Sequence, residues 1–148
     1  MMKVKLARFL VLGVLLLGVG GSTVFGQAFS KYGLTNPEGD TVFHGIDNSK
    51  NMKIYAGKKW LIKVTSISFS ESIPSNNPGI KFSPMKKNGN IYSLCGGNYF
   101  WTKTTQSGYT PIEWNSGAGA VGDYYLGARL DNRLTTCSAN VAGDWNAN

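Results

Sequence analysis

The stretch Ile80–Leu94, IKFSPMKKNGNIYSL, places Asn88-Gly89 between two runs of apolar, aromatic and β-branched residues. Asn-Gly tolerates positive φ at both central positions of a two-residue turn, so the stretch reads as a β-hairpin. In that register Lys87 faces Asn90, Met85 faces Tyr92 and Phe82 faces Cys95. Working outward, the same punctuation recurs. Trp60–Phe69 (WLIKVTSISF) sets Trp60, Ile62 and Val64 on one face and then changes parity, so that Ile67 and Phe69 continue the apolar set. One extra residue near Thr65 and Ser66, a β-bulge, reconciles the halves. Ser72–Pro78 (SIPSNNP) is a loop.

Beyond the hairpin, Tyr99–Thr105 (YFWTKTT) and Tyr109–Trp114 (YTPIEW) read as strands, the second at a sheet edge because Pro111 has no N–H to give a ladder. Ser116–Gly122 is a small-residue connection. In Tyr124–Leu130 the residues Tyr124, Leu126, Ala128 and Leu130 alternate with Tyr125, Gly127 and Arg129, the pattern of a half-buried strand. Asp131, Asn132 and Arg133 form a turn. Leu134–Val141 returns with Cys137, Ala139 and Val141 on one face. With two weaker runs, Thr41–Phe43 and Met52–Ala56, the expectation is about eight short strands and no helical stripe over three turns. Two apolar sheet faces must cover one another, so the fold is expected to be all-β: an antiparallel β-sandwich, with a small β-barrel as the alternative.

The chain has 148 residues, 42% of them apolar, which fits one domain. Met1–Arg8 carries Lys3, Lys5 and Arg8 without an acid, Phe9–Val19 is an apolar run broken by Gly13 and Gly18, and small residues follow. This is the order of a secretory signal peptide, with cleavage after Gly26 or Ala28. The apolar run is too short for a bilayer span, which needs about 20 residues. Residues 1–28 are therefore assigned to the leader and residues 29–148 to a single secreted β domain. Loss of the first 26 residues removes three of the 15 bases and none of the 8 acids, leaving 12 against 8, a formal charge of +4. Phe29–Lys103 carries the excess. Such a basic region attracts anionic polymers or membrane surfaces, although scattered lysine pairs also serve only solubility.

Two cysteines cannot build a four-thiolate metal site. In an exported chain Cys95 and Cys137, both on faces assigned to the interior, are expected to pair as a disulfide. The consecutive Tyr99, Phe100 and Trp101 must point to both sides of a strand, so at least one ring faces outward. With Lys103 they form the candidate binding surface, an aromatic platform for a sugar ring or a partner protein.

His44 is the sole histidine, which excludes a multi-histidine metal centre. No Gly-x-Ser-x-Gly elbow or phosphate-binding loop is present. Glu71 and Glu113 are the carboxylates a glycoside-hydrolysis reading would use, but eight scattered acids contain such pairs by chance. The expectation is a non-enzymatic protein with no catalytic residue, cofactor or metal.

Tyr124–Asn132 followed by Val141–Asn146 resembles the closing hairpin of a group of small secreted Gram-positive bacterial proteins known only as a domain of unknown function. The resemblance implies an exported all-β protein and carries over no site residue. The functional expectation is binding at the cell envelope or outside the cell, to an anionic envelope polymer, a membrane surface or an extracellular protein. A cationic antimicrobial or toxin is the alternative. Nucleic acid is disfavoured, because Lys103 alone lies close to the aromatic triplet and export removes the chain from it.

Overall fold

The computed structural model describes residues 26–35, 42–56, 59–70, 79–96, 98–115, 118–131 and 137–148. Among them are ten strands: β1 (Gln27–Thr35), β2 (His44–Gly45), β3 (Asn51–Lys53), β4 (Trp60–Phe69), β5 (Gly79–Asn88), β6 (Ile91–Leu94), β7 (Phe100–Thr102), β8 (Thr110–Ile112), β9 (Gly122–Asp131) and β10 (Ser138–Asn146), with one 3-10 turn at Asp47–Ser49. Every pairing is antiparallel. One sheet runs β1-β10-β4-β8; the other runs β2-β9-β5-β6, with β3 also on β9 and β7 also on β5. The all-β sandwich expected from the alternation is the observed architecture.

Trp60, Ile62 and Val64 of β4, with Phe29, Val141 and Trp145, meet Ile80, Phe82, Tyr124, Leu126, Ala128 and Leu130 across the interior. Phe29 and Phe82 touch edge to face at 5.8 Å. Thr65 is the extra residue of β4: Ala142 pairs with Ser66 and Gly143 with Val64, and this bulge keeps Ile67 and Phe69 packed against the core. Pro111 lies on β8, at the edge of the four-stranded sheet. Buried Lys53 donates to the carbonyls of Ala147 (3.2 Å) and Asn148 (2.6 Å).

Several expectations are corrected. The β5–β6 hairpin forms, but Asn88 pairs with Ile91 and Lys87 with Tyr92, so the central residues are Gly89 and Asn90. Gly89 alone takes the positive φ, at +58°, as a turn with glycine at its first central position requires. Met85 therefore faces Leu94, and Phe82 faces Phe100 of β7 rather than Cys95. The two-residue slip preserves the faces. Strand structure near Phe43 falls on His44–Gly45, the Tyr99–Thr105 run narrows to β7, and the run expected to end at Val141 continues to Asn146. Residues 1–25 of the expected leader, Ser72–Pro78 and the turn residues after Asp131 lie outside the described residues.

The expected bridge between Cys95 and Cys137 is absent, and both thiols are free. Register explains why. Trp145 donates its indole N–H to Ser49 O, Ser49 Oγ accepts the N–H of Leu126, and Leu126 pairs with Pro84, whose carbonyl accepts the Cys95 thiol. Cys95 thus lies at the Trp145 end of β10, whereas Cys137 precedes the opposite end. Eight residues of strand separate the two levels, on the order of 25 Å. A disulfide needs Cα atoms about 4.4–6.8 Å apart.

Candidate functional site

Along β5, Ile80 and Phe82 point into the sandwich, so Lys81, Ser83, Met85 and Lys87 point to the opposite face. That face is not simply solvated. Met85 is 2% exposed and Phe43 5%, yet neither belongs to the core between the sheets. They are covered by a second aromatic group. Phe43 stacks on Tyr99 (centroids 5.2 Å apart, planes at 28°), and Tyr92 meets Tyr125 edge-on at 5.4 Å. The Arg129 guanidinium lies 5.3 Å from the Phe43 ring, and the Lys87 ammonium 4.8 Å from that of Tyr92, within reach of cation–π attraction.

These groups meet because the six-stranded sheet curls toward this face. Tyr92 of β6 rests on Gly45 of β2, although those strands occupy opposite ends of the path β2-β9-β5-β6. In a flat sheet, three strand spacings would hold them about 14 Å apart. Gly45, Gly79 and Gly127 make room where Tyr92, Trp101 and Met85 lie on the backbone, and a Cβ at any of them would collide with its cover. Asp47 then latches the two edges: its carboxylate accepts from Lys87 Nζ at 2.8 Å and from the Tyr92 hydroxyl. Those hydrogen bonds hold the Asp47 carboxyl below the usual carboxylate range, Lys87 first and Tyr92 second. Burial, followed by the bond to Asp47, pushes the Tyr92 phenol up.

The cover is interrupted at one place. On the β6/β7 side, β5 is paired at Met85–Asn88 and again at Ile80–Phe82, leaving Ser83 and Pro84 without a ladder partner there. Pro84 has no N–H to offer, and its carbonyl accepts the Cys95 thiol (3.1 Å) in place of a backbone donor. The chain between β6 and β7 therefore leaves the sheet. Asn98 N–H donates to Glu113 O (3.3 Å) and Asn115 N–H to Gly96 O (2.9 Å), fixing this segment against the one after β8. The result is a recess of about 190 Å³ lined by Ser83, Leu94, Gly96, Asn98, Tyr99 and Asn115. No side chain in the lining is charged, and the amides of Asn98 and Asn115 make no hydrogen bond with another described residue. Beside it, burial pushes the Cys95 thiol up to about 11, opposed by the nearby Lys86 charge. This thiol is protonated at neutral pH.

The expected surface of Tyr99, Phe100, Trp101 and Lys103 is thus divided. Tyr99, 55% exposed, forms a wall of the recess, and Trp101, 39% exposed, lies over Gly79 on the same face of the sheet. Phe100 turns the other way and stacks on Phe82 (6.3 Å) against the core. Lys103 is exposed beyond the end of β7, outside the recess lining. Ser83, Leu94, Gly96, Asn98 and Asn115 were missed. The one signal for them was Pro84 inside an otherwise strand-like run. Glu113 is paired with Lys59 at 3.2 Å, and Glu71 lies outside the described residues. Among the described residues no group of three or more His, Cys, Asp or Glu side chains is placed to hold a metal ion.

No family model matches the chain. Neither a curated protein nor a solved structure matches it at a significant level.

Proposed function

We propose that the protein is exported and acts by binding rather than catalysis, at the cell envelope or outside the cell, with the recess beside Tyr99 as its contact site. The observation that carries the reading is a cleft with one aromatic wall and two side-chain amides that the protein itself leaves unbonded. Both amides are exposed, so no group of the fold competes for them, and convergent polar groups beside an apolar wall are the usual composition of a ligand site. Export is supported by the basic, apolar, small-residue order of the leader.

The charge distribution favours the cleft over a general cationic surface. Lys81 lies 3.2 Å from Asp131, Lys87 2.8 Å from Asp47 and Lys50 2.9 Å from Asp123, so these ammonium groups have acids beside them. Binding through the recess is therefore expected to vary little with ionic strength, unlike attraction between exposed charges. The test is retention of the mature protein on isolated cell envelopes at low and high salt, wild type against Tyr99→Ala. Retention that persists in high salt and falls in Tyr99→Ala supports the reading. Retention abolished by salt and indifferent to Tyr99→Ala, or no retention at all, overturns it.

A further inference from the structure

The chemistry of the recess narrows what it takes. Phe43 covers one face of the Tyr99 ring, which remains 55% exposed, so the tyrosine offers a platform held in place from behind. Leu94 supplies a second apolar contact. Each exposed side-chain amide of Asn98 and Asn115 carries two donor hydrogens and an acceptor oxygen, whereas Ser83 is 0% exposed, donates its hydroxyl to Pro84 O at 3.4 Å and forms only the floor. With no charge in the lining, nothing rewards a phosphate, a carboxylate or an ammonium group. The volume, about 190 Å³, lies below the roughly 300–1,000 Å³ of pockets for drug-sized ligands and suits one ring.

We infer that the recess takes a single neutral sugar ring of an oligosaccharide or polysaccharide; this rests on the binding reading above. A pyranose has a face of C–H groups and a rim of neutral hydroxyls, each able to donate and accept. The C–H face lies on Tyr99 and the rim meets Asn98 and Asn115. A peptide is the lesser fit. Strand addition needs a run of unpaired backbone N–H and C=O groups, and at the gap in the ladder β5 presents Pro84, which has no N–H.

The experiment titrates the mature protein with chitotetraose, cellotetraose and maltotetraose, read by calorimetry and by chemical-shift changes at Asn98, Tyr99 and Asn115. At least one of these probes is expected to bind saturably, with shifts centred on those residues. Tyr99→Ala and the double variant Asn98→Ala/Asn115→Ala are each expected to weaken it by about tenfold or more, roughly 1.4 kcal/mol. Tyr99→Phe keeps the platform and stays within a few-fold of wild type, and Lys63→Ala, on the other sheet, leaves binding unchanged. The double variant keeps the test valid if loss of Tyr99 uncovers Phe43 and unfolds the chain. Absence of binding by all three saccharides, or binding that Tyr99→Ala and the double variant leave intact, overturns the inference. If envelope retention is Tyr99-dependent while no neutral saccharide binds, the sugar assignment fails and the binding reading stands. Capture of a peptide at the same residues has the same consequence.

Discussion

Replacing Ser49 by alanine tests the join between the two sheets. Ser49 ends the 3-10 turn, is 0% exposed, and makes three contacts with different parts of the chain. Its hydroxyl donates to Ile46 O at 2.6 Å and accepts the Leu126 N–H at 2.7 Å, while its carbonyl accepts the Trp145 indole N–H at 2.6 Å. Ser49→Ala leaves Ile46 O with the Ser49 backbone N–H (3.1 Å) but strands the Leu126 N–H in the interior. Loss of a hydrogen bond is worth about 1 kcal/mol and a buried orphan donor adds about 1–3, so the expected destabilisation is about 2–4 kcal/mol. Equilibrium urea unfolding of the mature chain reads this as a midpoint lower by about 1–2 M with an unchanged slope. Trp145→Phe, which orphans Ser49 O and shortens a buried ring, should cost about as much. A loss below about 0.5 kcal/mol for Ser49→Ala, the level of an ordinary surface change, would refute the claim that this hydroxyl completes the β9 edge.

The thiols, the Cys95 environment and the start of β1 each carry an expected outcome. Thiol titration of the unfolded, unreduced mature protein should find both Cys95 and Cys137 reactive; finding neither would restore the disulfide and put the β10 register in error. The folded Cys95 thiol, raised by burial to about 11 from the ordinary thiol value of 9.0, stabilises the fold fully below about pH 9, and that contribution is lost as pH rises through about 11. Urea midpoints measured across this range should fall more steeply for wild type than for Cys95→Ala, and equal slopes would count against it. Leader cleavage should fall after Gly26, because Gln27 pairs with Trp145 and Ala28 with Asp144, and Gln27 Nε2 donates to Asn48 O at 3.1 Å. A cut after Ala28 would strip these from β1, so N-terminal sequencing that begins at Phe29 rejects the argument.

Much of the sandwich was legible because its signals are local. The parity change at Thr65, the alternation from Tyr124 to Leu130 and the edge position of Pro111 each follow from strand geometry within ten residues. β1 was not, because Gln27–Thr35 begins inside the stretch expected to be a leader and carries a register shift between Lys31 and Leu34. The end of β10 beyond Val141 escaped for another reason. Gly143 and Asp144 are poor strand formers, and they are held extended by β1 on one side and β4 on the other. The recess was only half visible: alternation required that at least one ring of Tyr99, Phe100 and Trp101 face outward without saying which, and Asn98 and Asn115 carried no signal until the chain folded them together.

β5 carries both the core and the site. A strand with one wet face should alternate, yet Ser83, Pro84 and Met85 are buried in succession. The sandwich covers one face, and the inward curl of the sheet covers the other with Phe43, Tyr92 and Tyr125. Such a doubly covered strand needs ladder partners on both edges, and Pro84 cannot supply a donor to one of them. The Cys95 thiol meets the carbonyl that is left, Gly96, Asn98 and Tyr99 lie outside the ladder, and the recess opens beside Ser83. The position least suited to a central strand is therefore the one that makes the cleft, and the neutrality of its lining follows from what replaced the ladder there: a serine, two amides and a tyrosine, with the nearby Lys86 ammonium donating to Asp123 O at 2.8 Å.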